Sequence, residues 1–268
     1  MPPNQIQFDD GAGYERYMGV WSQLAGAAFL DWLALPSGLQ WLDVGCGTGA
    51  FTELVLDRCA PSQVAGVDPS EAQLNYARTR LSSRGAQFKL GDAMALPFET
   101  AAFDEAMMPL VIFFVPDPVK GVAEMTRVVR RGGTVAAYAW DMEGGGFPYA
   151  MLREELLEMG FDPPQPPSAD ASRLDRLNEL WSGAKLRDIA TREITVHRAF
   201  AGFDDYWETI ALAPSAGKQL ADLSPVARAE LRRRLVARMP APDSAGRITL
   251  SARANAVRGR SAATGMQP

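Results

Sequence analysis

The sequence is poor in the residues that mark several common kinds of site. Its 268 residues hold two cysteines, Cys46 and Cys59, and one histidine, His197. Two cysteines with neither C-x-x-C spacing nor a disulfide framework exclude a stapled scaffold, and a reducing cytoplasm is the expected compartment. No metal site is expected. No apolar run reaches 18 residues, and Met1-Pro2-Pro3-Asn4 opens with neither a charged n-region nor an apolar h-region. Export and membrane crossing are therefore not expected. Positive charge is not in excess: the formal net charge is −5 and the pI about 5.1. Binding along a phosphate backbone needs clustered Lys and Arg, so a nucleic acid is not an expected partner. The one basic run, Arg232-Arg233-Arg234, falls in a helix-like segment and reads as a solvated face. No internal repeat is visible.

What is present is ample apolar material, 47% of residues, enough for one large core, so residues 1–268 are read as a single domain. Residues 1–13 are polar with Pro and Gly and read as a mobile arm. Tyr17, Trp21, Leu24, Ala28, Phe29, Trp32 and Leu33 recur at helical spacing and stop at Pro36-Ser37-Gly38. Strands then alternate with helices: strands near 40–44, 63–67, 86–90, 103–109 and 134–139, helices near 49–59, 71–82 and 119–129. That alternation demands right-handed crossovers and a mainly parallel sheet covered on both faces, with ligands at the carboxyl ends of its strands.

After Trp140 the regular alternation fails. Residues 162–167 carry four prolines in six positions, and helical spacing resumes at Leu174, Leu177, Leu180 and Trp181. Period-two patterns near 189–200 and 247–257 predict an antiparallel pair at the sheet edge. The expected caps are residues 1–36, 141–172 and 201–245, and residues 259–268 are read as a tail.

The stretch Leu42-Asp43-Val44-Gly45-Cys46-Gly47-Thr48-Gly49-Ala50-Phe51 reads as strand, tight turn and helix start. Glycines 45, 47 and 49 with Ala50 fit loosely a dinucleotide fingerprint, a weak signal alone. The surrounding acids favour another ligand. Asp43 sits inside the elbow, where a carboxylate repels a pyrophosphate and suits an ammonium. Asp68 ends the second strand, placed to accept from two ribose hydroxyls, and Asp92 follows the third, placed to accept from an exocyclic amine. An ammonium, a ribose diol and an adenine, with no phosphate, describe S-adenosylmethionine.

The segments LDVGCGTGAF at 42, GVDPS at 66, GDAMALPF at 91, FDEAMMPLVIFFVPDP at 103 and MTRVVRRGGTV at 125 together resemble the class I S-adenosylmethionine-dependent methyltransferases. Within that class the chain resembles the small-molecule group that includes the ubiquinone and menaquinone biosynthesis enzymes, over roughly residues 14–140. The resemblance implies an α/β fold, a Rossmann-like doubly wound sheet of seven strands with an antiparallel last strand, plus helical cap insertions.

It further implies that Gly45, Cys46, Gly47 and Gly49 pass under the methionine part of the cofactor and that Asp68, with Pro69 and Ser70, takes the ribose. Asp92 and the Ala93 backbone read adenine, Pro109 and Leu110 lie beside the methionine chain, and the N-terminal helix closes over the cofactor with Tyr17 lining the site. S-adenosylhomocysteine is the implied product.

Trp21, Phe113, Trp140, Tyr206 and Trp207 are the expected substrate pocket. Relatives often carry His where this chain has Phe113-Phe114, which removes a ready base; Asp141 and His197 are the remaining candidates. The expected activity is in-line transfer of a methyl to oxygen or carbon of a small apolar or aromatic acceptor, by a monomer or homodimer. The alternative is a protein of this fold that binds S-adenosylmethionine without transferring methyl.

Overall fold

The computed structural model describes residues 15–213 and 216–262. The arm at 1–13, Tyr14 and residues 263–268 of the expected tail lie outside the described residues. A π-helical turn, Glu15–Gly19, leads into helix α1, Val20–Leu33, whose Trp21, Ala25, Phe29 and Leu33 face the core. The alternating region follows as β1 (Gln40–Val44), α2 (Ala50–Arg58), β2 (Gln63–Asp68), α3 (Glu71–Leu81), β3 (Ala86–Leu90), β4 (Phe103–Pro109), α4 (Pro118–Val128) and β5 (Val129–Trp140). Local chemistry sets these boundaries. Ser70 caps α3 by accepting from the Gln73 amide at 3.4 Å, and Asp117 caps α4 ahead of Pro118, accepting from the Lys120 amide at 3.1 Å.

The rest of the chain forms α5 (Ala150–Glu158), α6 (Leu174–Gly183), β6 (Arg187–Phe200), α7 (Phe203–Ala211), α8 (Ala216–Asp222), α9 (Pro225–Arg238) and β7 (Ile248–Arg260). The seven strands lie in the order β3-β2-β1-β4-β5-β7-β6. The first five are parallel, while β7 runs antiparallel to both β5 and β6, as the alternating patterns predict.

Two boundaries differ from expectation. β5 begins at Val129 rather than Thr134, because Gly132-Gly133 is a kink within the strand: a Cβ on Gly133 would lie 2.2 Å from the Asp104 carbonyl oxygen. β7 extends through Gly259 and Arg260, which pair with Val135 and Thr134, so the tail begins later than residue 259.

Between β3 and β4 there is no helix, only a loop. It leaves a groove of about 320 Å³ beside β2 and β3, lined by Gln63, Gln87, Lys89, Pro97, Phe98 and Phe103. Among the described residues no helix is long and apolar enough to cross a membrane.

Candidate functional site

The elbow after β1 is a turn with no room for side chains. Gly45, Gly47 and Gly49 have φ of +75°, +52° and +81°. A Cβ on Gly45 would come within 2.5 Å of the Val111 side chain, so the loop beyond β4 closes down on the turn. Four backbone donors of this turn, those of residues 45, 46, 47 and 49, are spent internally. The Gly45 and Cys46 amides donate to the Val67 carbonyl at 2.8 and 3.1 Å, the Gly49 amide to the Cys46 carbonyl at 2.8 Å, and the Gly47 amide to Asp68 Oδ2 at 2.9 Å. A pyrophosphate cradle needs such amides free. Those four amides are not available to a phosphate.

Asp43 closes β1 and is only 2% exposed. Its Oδ2 accepts from the Thr52 hydroxyl at 2.7 Å, while Oδ1 has no partner. Burial pushes the carboxyl up to about 7. It ties β1 to the first turn of α2 through Thr52 and takes none of the glycine amides. Asp68 holds the turn instead: besides the Gly47 amide it accepts from the Ser70 amide through Oδ1 at 2.8 Å. Burial raises its carboxyl too, opposed by those two bonds. Each oxygen retains a lone pair, so Pro69 and Ser70 serve to aim it. Asp92 lies exposed in a tight turn, where Oδ1 accepts from the Met94 amide at 2.8 Å and its carbonyl from the Ala95 amide at 3.0 Å. Ala93 sits within that turn.

Cys46 contributes backbone only. Its side chain turns away into a small separate core with Leu74, Ala77, Leu81, Ala86 and Phe88, and burial drives its thiol well above the ordinary range, so it is no nucleophile.

At the end of β4 Pro109 is buried and Leu110 adopts φ +59°, held by donation of its amide to the Tyr138 carbonyl at 2.7 Å. Positive φ at leucine is a strained position, of the kind that collects at ligand sites. Phe113 follows in a short 3-10 turn, covered by the proline-rich cap: the Ser168 amide donates to the Phe113 carbonyl at 3.0 Å and the Ser168 hydroxyl to the Val115 carbonyl at 2.8 Å.

Several expected pocket residues are instead core. Trp21, Trp140 and Tyr206 are at most 1% exposed, and Phe113 is buried with them. Large aromatic surfaces at the junction of three caps are worth more sealed than open. Trp207 is half-buried, stacked on Phe203 and covered by Arg232. Tyr17 is buried against Tyr149, ring centroids 4.3 Å apart.

Neither candidate base is placed to act as one. Asp141 Oδ2 accepts from Arg253 at 2.5 and 3.1 Å and Oδ1 from the Gly144 amide at 2.9 Å, so it holds the loop after β5. His197 lies exposed on the outer face of β6, opposite Ser251 and at the sheet edge away from β1.

Two residues absent from the sequence expectations organise the cap. The Tyr149 hydroxyl accepts from Trp21 Nε1 at 3.2 Å and donates to the Tyr17 carbonyl at 2.5 Å. Burial pushes its pKa up to about 12. Arg198 Nη1 donates to the same carbonyl at 3.1 Å. Tyr149 gave no signal beyond helical spacing; Arg198 interrupts an otherwise apolar period-two face, Ile194, Val196 and Phe200. The basic run is also more than a solvated face: Arg232 pairs with Asp204, and Arg234 pairs with Glu230, Glu155 and Glu158.

Residues 42–137 match the family model described as a methyltransferase domain. Over 95 residues the chain is 40% identical to 2-methyl-6-phytyl-1,4-hydroquinone methyltransferase 2 of Oryza sativa, covering 35% of this chain and 27% of that one. It is 37% identical over 103 residues to the demethylmenaquinone methyltransferase of Lactococcus lactis, covering 37% and 41%. The chain thus spans well under half the length of these curated relatives.

The fold is shared more widely. A putative methyltransferase of Bacillus halodurans superposes with a TM-score of 0.60 at 17% identity, covering 88% of this chain and 99% of that one. The Haemonchus contortus phosphoethanolamine N-methyltransferase 2 bound to S-adenosyl-L-methionine gives 0.58 at 18%, covering 94% and 56%.

Proposed function

We propose that this chain, whose residues 42–137 match a methyltransferase domain on a class I fold, transfers a methyl group from S-adenosylmethionine to a small apolar or aromatic acceptor. The observation that carries the reading is Asp43. A buried carboxylate with an unpartnered oxygen, beside a turn whose amides at 45, 46, 47 and 49 are already spent, is suited to a cation and not to a phosphate. A Cβ at Gly45 would collide with the Val111 side chain, so the glycine turn is what lets the loop beyond β4 close against the elbow.

When bound, S-adenosylmethionine supplies an electrophilic methyl on a sulfonium, open to in-line displacement. In this reading the Asp43 carboxylate takes the ammonium, the oriented Asp68 carboxylate accepts from the ribose hydroxyls, and Asp92 with the Ala93 backbone meets adenine. Pro109, Leu110 and Tyr17 flank the methionine chain. The apolar side chain of Leu110 helps to exclude water, and positioning of the acceptor alone is worth about 7–11 kcal/mol in favourable cases. With Asp141 committed to Arg253 and His197 exposed on the edge strand away from β1, the acceptor atom is one that needs little help to lose its proton, a phenol oxygen or an activated ring carbon.

The quinol names of the relatives support an aromatic acceptor, although the shared stretch lies in the cofactor half. The acidic balance favours a free metabolite over a nucleic acid, and two free cysteines favour a reducing cytoplasm.

The test is S-adenosylhomocysteine release across a panel of phenols, catechols and hydroquinones. Acceptor-dependent release supports methyl transfer, whereas tight cofactor binding with no release across the panel favours a binding protein of this fold.

A further inference from the structure

Arg198 occupies an inward position of β6. Ile194, Val196 and Phe200, on the same face, are all buried, and Arg198 lies between the last two, opposite Leu250 of β7. Its guanidinium stacks over the Phe200 ring, 4.5 Å from the centroid. Nη1 donates to the Tyr17 carbonyl at 3.1 Å and to the Tyr149 hydroxyl at 3.4 Å. Among the described residues no carboxylate oxygen lies within ion-pair distance of it, and no acceptor meets its Nε or Nη2.

Three arginines of the cap joints have carboxylates, whereas Arg153, like Arg198, meets only neutral acceptors, the Pro163 and Pro164 carbonyls. Arg253 has Asp141, Arg238 has Glu154 and Glu155, and Arg232 has Asp204. The nearest acid to Arg198 is diverted: Asp205 accepts from Arg16 at 3.1 Å and from the Ala201 amide at 3.0 Å. A guanidinium taken partly out of water with only neutral acceptors is a costly arrangement, and burial disfavours its charged form. An anion supplied from outside would complete it.

Its position in the fold says which anion. β6 runs in the same direction as β5, because both are antiparallel to β7. Ala254 pairs with both Trp140 and Ile194, so Arg198 stands four residues beyond the end of β5, above the carboxyl edge of the sheet and level with the cap. It shares the Tyr17 carbonyl with Tyr149, which places it beside the residue expected to flank the cofactor. The unused Nε and Nη2 form one side of a planar fork, the geometry that meets both oxygens of a carboxylate. Around it Tyr17 and Tyr149, stacked on each other, and Phe200, under the guanidinium, form a buried aromatic support.

We propose that Arg198 is the specificity-determining residue for the methyl acceptor, and that the acceptor carries a carboxylate. The fork grips the carboxylate, and the methyl goes to a different atom of the same molecule. This rests on the methyl-transfer reading and narrows its substrate class. Tyr149 acts as a positioning residue, holding the Tyr17 carbonyl from which the guanidinium hangs.

The experiment uses the full chain loaded with S-adenosylhomocysteine and probes it by calorimetry with benzoate, cinnamate and 4-hydroxybenzoate, each against its amide. At least one carboxylate is expected to bind tenfold or more tighter than its amide. Arg198→Met is expected to abolish that preference, with S-adenosylhomocysteine affinity held within about twofold and a melting temperature equal to or above that of the parent. Arg198→Lys is expected to restore part of the preference. Equal binding of acids and amides, or a preference that survives Arg198→Met, overturns the proposal. So does a fall in melting temperature without loss of preference, which would make Arg198 a structural tie to Tyr17. Failure of the parent chain to bind S-adenosylhomocysteine strikes at the methyl-transfer reading instead.

Discussion

Asp43 and Asp68 end neighbouring parallel strands and are both buried, yet they do opposite things with their oxygens. Asp68 uses both to collect backbone amides and so fixes the turn; Asp43 uses one on Thr52 and leaves the other unpaired. The difference has a pH signature. Burial holds the Asp43 carboxyl near pH 7, so just below that pH it is largely protonated in the ligand-free protein. An ammonium beside it favours the ionised form and lowers the pKa. Binding S-adenosylhomocysteine at pH 6–6.5 is therefore expected to release a fraction of a proton, with affinity rising as pH goes up through 7 and levelling off by pH 8. Calorimetry in two buffers of different ionisation enthalpy measures the release; affinity flat from pH 5.5 to 8 with no proton released contradicts this role. A carboxylate at this strand end was legible in the sequence. Which acid takes the turn amides was not, because that depends on how β1 and β2 register, Asp43 opposite Gly66.

At the scale of elements, the parallel half was legible and the caps only partly so. β1, β3 and β4 fall at the expected residues because their apolar runs are bounded by Gly, Pro and Asp that allow no other reading. The caps were legible as interruptions, but their joints are made by pairs distant in sequence. α5 and α9 meet through Glu155, a carboxylate only 5% exposed, which receives Arg238 at 2.9 Å and Arg234 at 3.5 Å. The arginine run was visible, its partners some 80 positions away were not. Glu155→Gln keeps the shape and removes the charge. Because both arginines remain about a third or more exposed, screening limits the loss to about 1–2 kcal/mol. Urea unfolding is expected to show that loss in the midpoint at unchanged slope; no shift would mean that α5 and α9 are held by their apolar contact alone. The same packing explains the misplaced pocket: aromatic spacing announces burial, and only the assembled cap shows that Trp21, Trp140 and Tyr206 face inward rather than toward a ligand.

For the whole molecule, the candidate cofactor residues and the cap stand at different parts of one sheet's edge. The strand order brings β1, β2, β3 and β4 together at one end of the carboxyl edge, where Asp43, Asp68, Asp92 and Leu110 stand, while β7 and β6 carry Arg253 and Arg198 toward the cap. The first group lies within residues 42–137, the stretch that matches the family model; the second lies wholly outside it. That division is why the cofactor was readable from local motifs and the acceptor was not: one depends on strand ends fixed by glycine and aspartate, the other on long-range closure.

The claim on which everything rests is that the elbow seats a cationic adenosyl ligand rather than a dinucleotide. Thermal unfolding of the full chain at pH 8, with S-adenosylhomocysteine or NADH each present at millimolar concentration, tests it most directly. The account predicts a rise of several degrees with S-adenosylhomocysteine and none with NADH, since ligand that binds only the folded state stabilises it by mass action. The reverse pattern, NADH stabilising and S-adenosylhomocysteine not, would contradict it.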